Sequence, residues 1–243
     1  MNGKLTAFFG KIKKLSLKIW ASLFPKECLG CGKEDVYCCD QCVSKMKMSA
    51  LNICFLCNKK ATGLGICEGC AEISGVDALI VATNYKDTLA EKLIKHLKYD
   101  FVVELVQPLV SLLKQKIETM EARQFFSGAL LIPVPLHRRR FLSRGFNQSE
   151  IIAKELVSAY GCELKTDVVK RTKATKKQFG LSREARQKNI QGAFTIVKPE
   201  LVKGRKIIII DDVLTTGATL SELAKILKKC GAIKVVGAAI AHE

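Results

Sequence analysis

The sequence predicts an α/β fold, a mostly parallel sheet with flanking helices, preceded by a small cysteine-rich module. Three observations carry that prediction. From Gly75 onward, strand-patterned and helix-patterned segments alternate, the order that builds a parallel sheet with helices on both faces. One of these strands, Lys206–Asp211 (KIIIID), holds four consecutive isoleucines, the composition of a central strand buried on both sides. Nine of the 11 cysteines fall between Cys28 and Cys70. A chain of 243 residues with 48% hydrophobic content can bury one sizeable core and still carry a small accessory module.

In chain order, the first segment is a basic amphipathic helix over residues 1–25. Leu5, Phe8, Ile12, Leu15, Ile19 and Leu23 recur at helical spacing, with Lys4, Lys11, Lys14 and Lys18 on the other side. Such a helix can lie on a membrane surface, on a partner or on the protein's own body. The first 26 residues hold six lysines and no acid, and the lysines break any apolar core that a secretory signal requires. The uncharged run Phe125–Leu136 spans 12 residues and contains Pro133 and Pro135, too short and too interrupted to cross a bilayer. The expected location is the cytoplasm, with the helix offering a peripheral place at the inner face of the membrane.

Eight cysteines form four CxxC pairs, CLGC, CDQC, CFLC and CEGC. A CxxC turn aims two thiolates at one tetrahedral metal, and two such turns close a four-thiolate site. In a chain without a secretory signal, zinc is the expected ligand rather than disulfide pairing. The segment 26–72 therefore reads as a double zinc ribbon, an internal repeat. The expected ligand sets are Cys28, Cys31, Cys39, Cys42 and Cys54, Cys57, Cys67, Cys70; a cross-braced arrangement of first with third pair is the alternative. Cys38 competes with Cys39, but only Cys39 has the two-residue spacing to Cys42. Four thiolates leave no open coordination position, so the metal is structural, folding a segment too short for its own core. Cys162 and Cys230 are isolated thiols.

The body follows over 73–243. Val76–Tyr85 is strand-like; Thr88–Tyr99 is helical, with Leu89, Leu93, Ile94 and Leu97 on one face; Val103–Ile117 continues helical. Ala129–Leu136 reads as a buried strand, Asn147–Tyr160 as a helix, Glu163–Val169 as a strand, Thr219–Lys229 as a helix and Lys234–Ala241 as the last strand. In such sheets ligands gather at the carboxyl ends of the strands. Asp211 and Asp212 stand there, two adjacent carboxylates that repel and need a compensating cation or hydrogen-bond donors. Thr215, Thr216, Gly217, Ala218 and Thr219 follow as a small-residue turn ahead of a helix, an anion cradle made by backbone amides and the helix dipole. Sugar hydroxyls at the acids and phosphate at the turn is the implied ligand geometry. Neither a Walker A sequence nor a dinucleotide G-x-G-x-x-G is present.

Ile207–Thr219 resembles, position by position, the phosphoribosyl pyrophosphate (PRPP) motif of type I phosphoribosyltransferases. LIPVPLHRRRFLSRGFNQSEIIAKEL and RTKATKKQFGLSREARQKNIQGAF, with the cysteine-rich front end, resemble the ComF family of competence proteins from about Phe24 to Ala241. The resemblance implies a type I phosphoribosyltransferase-like domain behind the double ribbon. Asp211 and Asp212 would bind the ribose hydroxyls of PRPP, and Thr215–Thr219 the 5-phosphate. The loop around Leu136, His137 and Arg138, to Arg140, would approach the pyrophosphate, with Mg²⁺ bridging its oxygens. Lys173–Lys188 would match a mobile loop, bringing Lys176, Lys177, Arg183 or Arg186 near the departing charge.

The charge distribution also points to a phosphate-bearing partner. The chain carries a net +17, of which His137–Lys188, with 14 basic and five acidic residues, holds +9, and the first 26 residues hold +6. Three functions follow as expectations. The chain is a PRPP-binding protein linked to competence that handles incoming single-stranded DNA through backbone contacts; or a phosphoribosyltransferase acting on an unidentified base or amine; or an adaptor for a DNA-uptake helicase or membrane-associated machine.

Overall fold

The computed structural model describes residues 26–50, 53–61, 64–173 and 183–243. The helix expected over 1–25 and the candidates Lys176 and Lys177 lie outside the described residues, and of Arg183 and Arg186 only the backbone is described. The chain divides into two compact units, one ending at Lys45 and the other running from Met46 to Glu243. The division falls inside the cysteine-rich segment 26–72.

The two halves of that segment repeat one local geometry. In the first unit Cys28 N–H donates to Lys33 O (2.8 Å) and Gly32 N–H donates back to Cys28 O (2.8 Å). Cys39 then opens helix α1 (Asp40–Ser44) with φ −85°, ψ 157°. In the second unit Cys54 N–H donates to Lys59 O (2.8 Å) and Asn58 N–H to Cys54 O (2.8 Å), and Cys67 opens helix α2 (Glu68–Ser74) with φ −85°, ψ 159°. Gly32 and Asn58 occupy the same left-handed position, φ 75° and 59°, which glycine and asparagine tolerate best.

The second unit continues with β1 (Ala78–Asn84), α3 (Thr88–Tyr99), a 3₁₀ turn at Val103–Leu105, α4 (Val106–Thr119), α5 (Arg123–Phe126) and β2 (Leu130–Pro133). Pro108 sits in the first turn of α4, where its missing N–H has no intrahelical partner to lose. After β2 come α6 (Arg138–Arg144), α7 (Gln148–Tyr160), β3 (Glu163–Leu164), β4 (Val169–Arg171), α8 (Arg183–Ile190), β5 (Phe194–Ile196), β6 (Lys206–Leu214), α9 (Ala218–Lys229) and β7 (Lys234–His242). The main sheet has the order β1-β7-β6-β2-β3 and all four pairings are parallel.

The isoleucine run lies mid-sheet on β6, all four side chains buried, between β7 and β2. Ile207 and Ile209 pack toward α9 in one cluster with Leu220, Leu223 and Leu227. Helices α4 and α7 lie against the sheet as well, α4 along β1 and α7 along β6 and β2. The second ribbon joins the α9 cluster: Cys54, Phe55, Leu56, Ala61 and Ile66 are buried in it. Leu79 N–H of β1 donates to Leu64 O (2.7 Å), tying the ribbon to the sheet edge.

Three elements depart from the sequence reading. The single strand expected over Glu163–Val169 splits: β3 ends the sheet, while β4 leaves it and pairs antiparallel with β5. Hydrophobic alternation identifies a strand but not its partner, and the polar Lys165–Asp167 turn lets the chain change sheets. The expected open loop around Leu136–Arg140 begins a helix instead, because His137 Nδ1 accepts from Arg139 N–H (3.3 Å) and caps α6. The far end of the Lys173–Lys188 loop is likewise helical, as the start of α8.

Candidate functional site

The acid pair lies in the last turn of pleat of β6 rather than beyond it, because β6 stays paired with β7 as far as Leu214↔His242. Each carboxylate is held by named donors. Asp211 Oδ1 accepts from Asp212 N–H (2.9 Å) and from Ser149 Oγ–H (3.3 Å). Asp212 Oδ2 accepts from Gln148 Nε2 (3.1 Å), and its Oδ1 pairs with Lys98 Nζ at 3.0 Å. The cation that two adjacent carboxylates require is thus Lys98, from the last turn of α3. The donors Gln148 and Ser149 come from the first turn of α7, which Asn147 caps by accepting from Ser149 N–H while donating to Val134 O. Asp211 opens to the cleft yet is walled by protein; burial, and after it the charge of Asp212, raise its pKa to about 7 against the opposing Asp212 N–H, Lys98 and Ser149.

These acids line a cleft of about 480 Å³. Its walls also carry Leu136, Thr215 and Thr219, three guanidinium groups (Arg140, Arg144, Arg171), two lysines (Lys95, Lys98) and two phenol rings (Tyr85, Tyr99). Lys95 pairs with Glu91 at 2.7 Å. Burial, and after it the like charge of Arg140, lower the pKa of Arg171 to about 10 against the opposing pull of Asp211. Arg144 is lowered by burial against the pull of Asp212, and lies 5.8 Å over the Tyr99 ring. Three guanidinium groups drawn together at this cost form a binding surface for an anion with several oxygens.

The turn after β6 splits its residues between two sides. Thr215 and Thr219 face the cleft, while Thr216 and Ala218 line a smaller cavity shared with Leu56 and Cys70 of the second ribbon. Gly217 takes φ 72° at the N-cap of α9 and, being glycine, contributes no capping side chain. Of the loop residues expected near a pyrophosphate, Leu136 lines the cleft, His137 caps α6 and Arg138 is exposed. The sequence reading did not single out Arg144, Arg171, Lys98, Gln148, Ser149, Tyr85 or Tyr99. The one available signal was the NQS run at the head of α7, polar residues where an apolar helix begins.

The cysteines form two clusters, Cys28/Cys31/Cys39/Cys42 and Cys54/Cys57/Cys67/Cys70, with all four sulfurs of each within 4.8 Å of one another. Individual Sγ···Sγ separations are 3.7 Å for Cys28–Cys39 and Cys31–Cys39 and 3.6 Å for Cys57–Cys67. A tetrahedral ion with bonds of about 2.3 Å spaces its sulfurs about 3.8 Å apart, so these donor sets fit one metal each. Consecutive CxxC pairs share a cluster. Burial disfavours the thiolates of Cys28 and Cys54, but backbone N–H groups donating to the sulfurs, led by Cys39 and Cys67, outweigh it and lower these pKa values to about 6 and about 7. Cys38 stays outside the cluster; burial and the neighbouring Cys28 and Cys39 push it up to about 12.

The parallel sheet, the acid pair at its carboxyl edge and the threonine–glycine turn define a phosphoribosyltransferase-type domain behind two cysteine-rich metal sites. Residues 142–243 match the phosphoribosyl transferase domain family. The chain is 37% identical over 160 residues to the DNA utilization protein YhgH of Shigella flexneri, covering 65% of this chain and 68% of that protein. It is 28% identical over 210 residues to competence protein F of Haemophilus influenzae (79% and 91% covered). With competence protein ComFC of Bacillus subtilis it shares 28% identity over 208 residues (82% and 81%). The chain belongs to the competence-linked ComF family. Among the described residues no helix is long and apolar enough to cross a membrane.

Proposed function

We propose that this protein binds PRPP with Mg²⁺ in the β6 cleft and serves the cytoplasmic handling of incoming single-stranded DNA. The observation that carries the reading is the meeting of an acid pair, two threonines of the turn that leads into α9 and three guanidinium groups in one cleft. Asp211 and Asp212 accept hydrogen bonds from the ribose 2- and 3-hydroxyls. The amides from Thr215 through Thr216, Gly217 and Ala218 to Thr219, with the hydroxyls of Thr215 and Thr219, take the 5-phosphate. Leu136, His137 and Arg138 lie beside the pyrophosphate, with Arg140 and Arg144 as its cations. When bound with the ligand, Mg²⁺ would supply further positive charge against the pyrophosphate, beside Arg140 and Arg144.

The metal in both cysteine clusters is Zn²⁺, which four-thiolate tetrahedral sites favour, and it is structural. Free thiols at this density persist in a reducing compartment, in keeping with a cytoplasmic protein, peripheral at the inner membrane face through its N-terminal segment. DNA engages the basic surface through its phosphates, with a DNA-uptake helicase or membrane-associated machinery as partner. Affinity for single strands then falls steeply with salt.

A second reading, an active phosphoribosyltransferase with an unidentified base or amine as acceptor, is favoured by the Tyr85 and Tyr99 rings on the α3 side of the cleft. In that case Lys176, Lys177, Arg183 or Arg186 meets the departing pyrophosphate.

Calorimetric titration of PRPP with Mg²⁺ into metal-loaded protein, beside an Asp211→Asn, Asp212→Asn variant, tests the primary reading. Binding in the wild type that weakens at least about 100-fold in the variant supports it. No heat of binding in the wild type, or equal affinity in both, contradicts it.

A further inference from the structure

The second metal site touches the turn that the proposed ligand's phosphate would occupy. Its first knuckle is CFLC, and the two residues between the thiols are both buried: Phe55 and Leu56. A Cβ on Gly217 would lie 2.0 Å from Leu56 Cδ2, so the space a side chain would take at the head of α9 is filled by the knuckle's leucine. Phe55 sets its ring 5.3 Å from that of His242, whose backbone partner in the sheet is Leu214, the residue leading into the turn. Cys70 and Leu56 share the wall of a cavity of about 170 Å³ with Thr216, Ala218 and Ser221. Thr216 Oγ1 is buried without a hydrogen-bond partner on this side of the turn.

Apart from these contacts the ribbon has little of its own to fold around. Among the described residues between Ile53 and Cys70, the buried apolar side chains besides Cys54 are Phe55, Leu56, Ala61 and Ile66. Without a metal, four clustered thiols cannot close such a segment.

We infer that the second metal centre is a positioning element of the phosphate turn: the closed Cys54–Cys57 knuckle holds Leu56 against Gly217 and Phe55 against His242, and so sets the amides of Thr216–Thr219 before any ligand arrives. Leu56 is a positioning residue, not a ligand contact. Turn and metal site are then linked reciprocally: a ligand on the turn tightens metal retention as much as the metal tightens ligand binding. That ligand is PRPP only on the reading above; the ordering of the turn does not depend on it.

Two arms separate the claims. Amide exchange over Leu214–Leu220 is followed in metal-loaded wild type and in Leu56→Ala without ligand, with both metal equivalents checked by mass. The expected result is exchange about tenfold faster in the turn of the variant, with Leu130–Pro133 unchanged. If the alanine variant does not keep both metals, Leu56→Val carries this arm with about a threefold increase. Exchange in the turn equal to wild type overturns the inference. In the second arm, PRPP with Mg²⁺ slows release of one metal equivalent to a chelator about fivefold in the wild type and not in Leu56→Ala. PRPP that binds yet leaves both release rates unchanged also overturns it. Failure of the wild type to bind PRPP overturns the PRPP reading alone, and the exchange arm still decides this one.

Discussion

The two ribbons use the same four-thiol grammar, the same hairpin hydrogen bonds and the same cysteine at the residue before the helix, but they differ in what lies between the thiols. In the first, Leu29 and Gly30 separate Cys28 from Cys31; Leu29 is half-buried, Gly30 exposed, and the ligand Cys31 itself is exposed. In the second, Phe55 and Leu56 are buried in the cluster that also holds Leu214, Leu220 and Ile209. One copy folds as part of a small unit of its own, and the other is a wall of the phosphoribosyltransferase-type domain. A repeated metal motif can therefore acquire distinct duties through two intervening side chains.

The largest effect that would sharpen this contrast is loss of a ligand. Cys67→Ser should destabilise the larger unit by about 4 kcal/mol, read as a lowered thermal midpoint, whereas Cys31→Ser should leave that unit's transition in place. Equal losses would erase the distinction. Next in size is the removal of Lys98, which pairs with a buried carboxylate. Lys98→Met should lower stability at neutral pH by about 2 kcal/mol and, in a calorimetric titration, weaken PRPP binding through misplacement of Asp212.

A smaller effect is pH dependence. Asp211 holds its proton until about pH 7 in the free protein, while ribose hydroxyls require the carboxylate as acceptor. Affinity for PRPP should therefore weaken as pH falls below about 7, approaching tenfold per pH unit, and Asp211→Asn should flatten the profile around its own weaker affinity. Smallest is Gly217→Ala, expected to cost about 1–2 kcal/mol from its positive φ and the contact with Leu56. Part of that loss should return in a Leu56→Ala background, measured by a double-mutant denaturation cycle.

Much of the architecture was legible because local chemistry dictated it. Four isoleucines ahead of two acids demand a buried strand ending at a polar edge, and CxxC spacing demands a shared ion. The turn Thr215–Thr219 was readable because its small residues and Gly217 break the strand ahead of a helical pattern, although the packing of Leu56 against Gly217 was not. What stayed illegible depends on distant pairing. Lys98 reaches Asp212 across 114 positions of sequence, and nothing in the helical pattern of Thr88–Tyr99 marks one lysine among several as the partner. Arg144 and Arg171 looked like members of a general basic stretch until α6 and β4 brought them to one cleft. The departure of β4 from the main sheet was hidden because alternation reports a face, not a neighbour. The merging of the second ribbon with the body was hidden because Phe55 and Leu56 are too few to show periodicity.

The most direct test of the account is the PRPP affinity of protein holding two metal equivalents and then one, prepared by stepwise stripping with a zinc-selective chelator that is removed before calorimetry with Mg²⁺. Repeating the strip on Cys31→Ser protein, which keeps the second site intact, assigns each equivalent to its site. Affinity should hold within about twofold when the first site is empty and be lost when the second is empty. Affinity that falls with the metal of the first site, or survives loss of the metal of the second, would contradict the account.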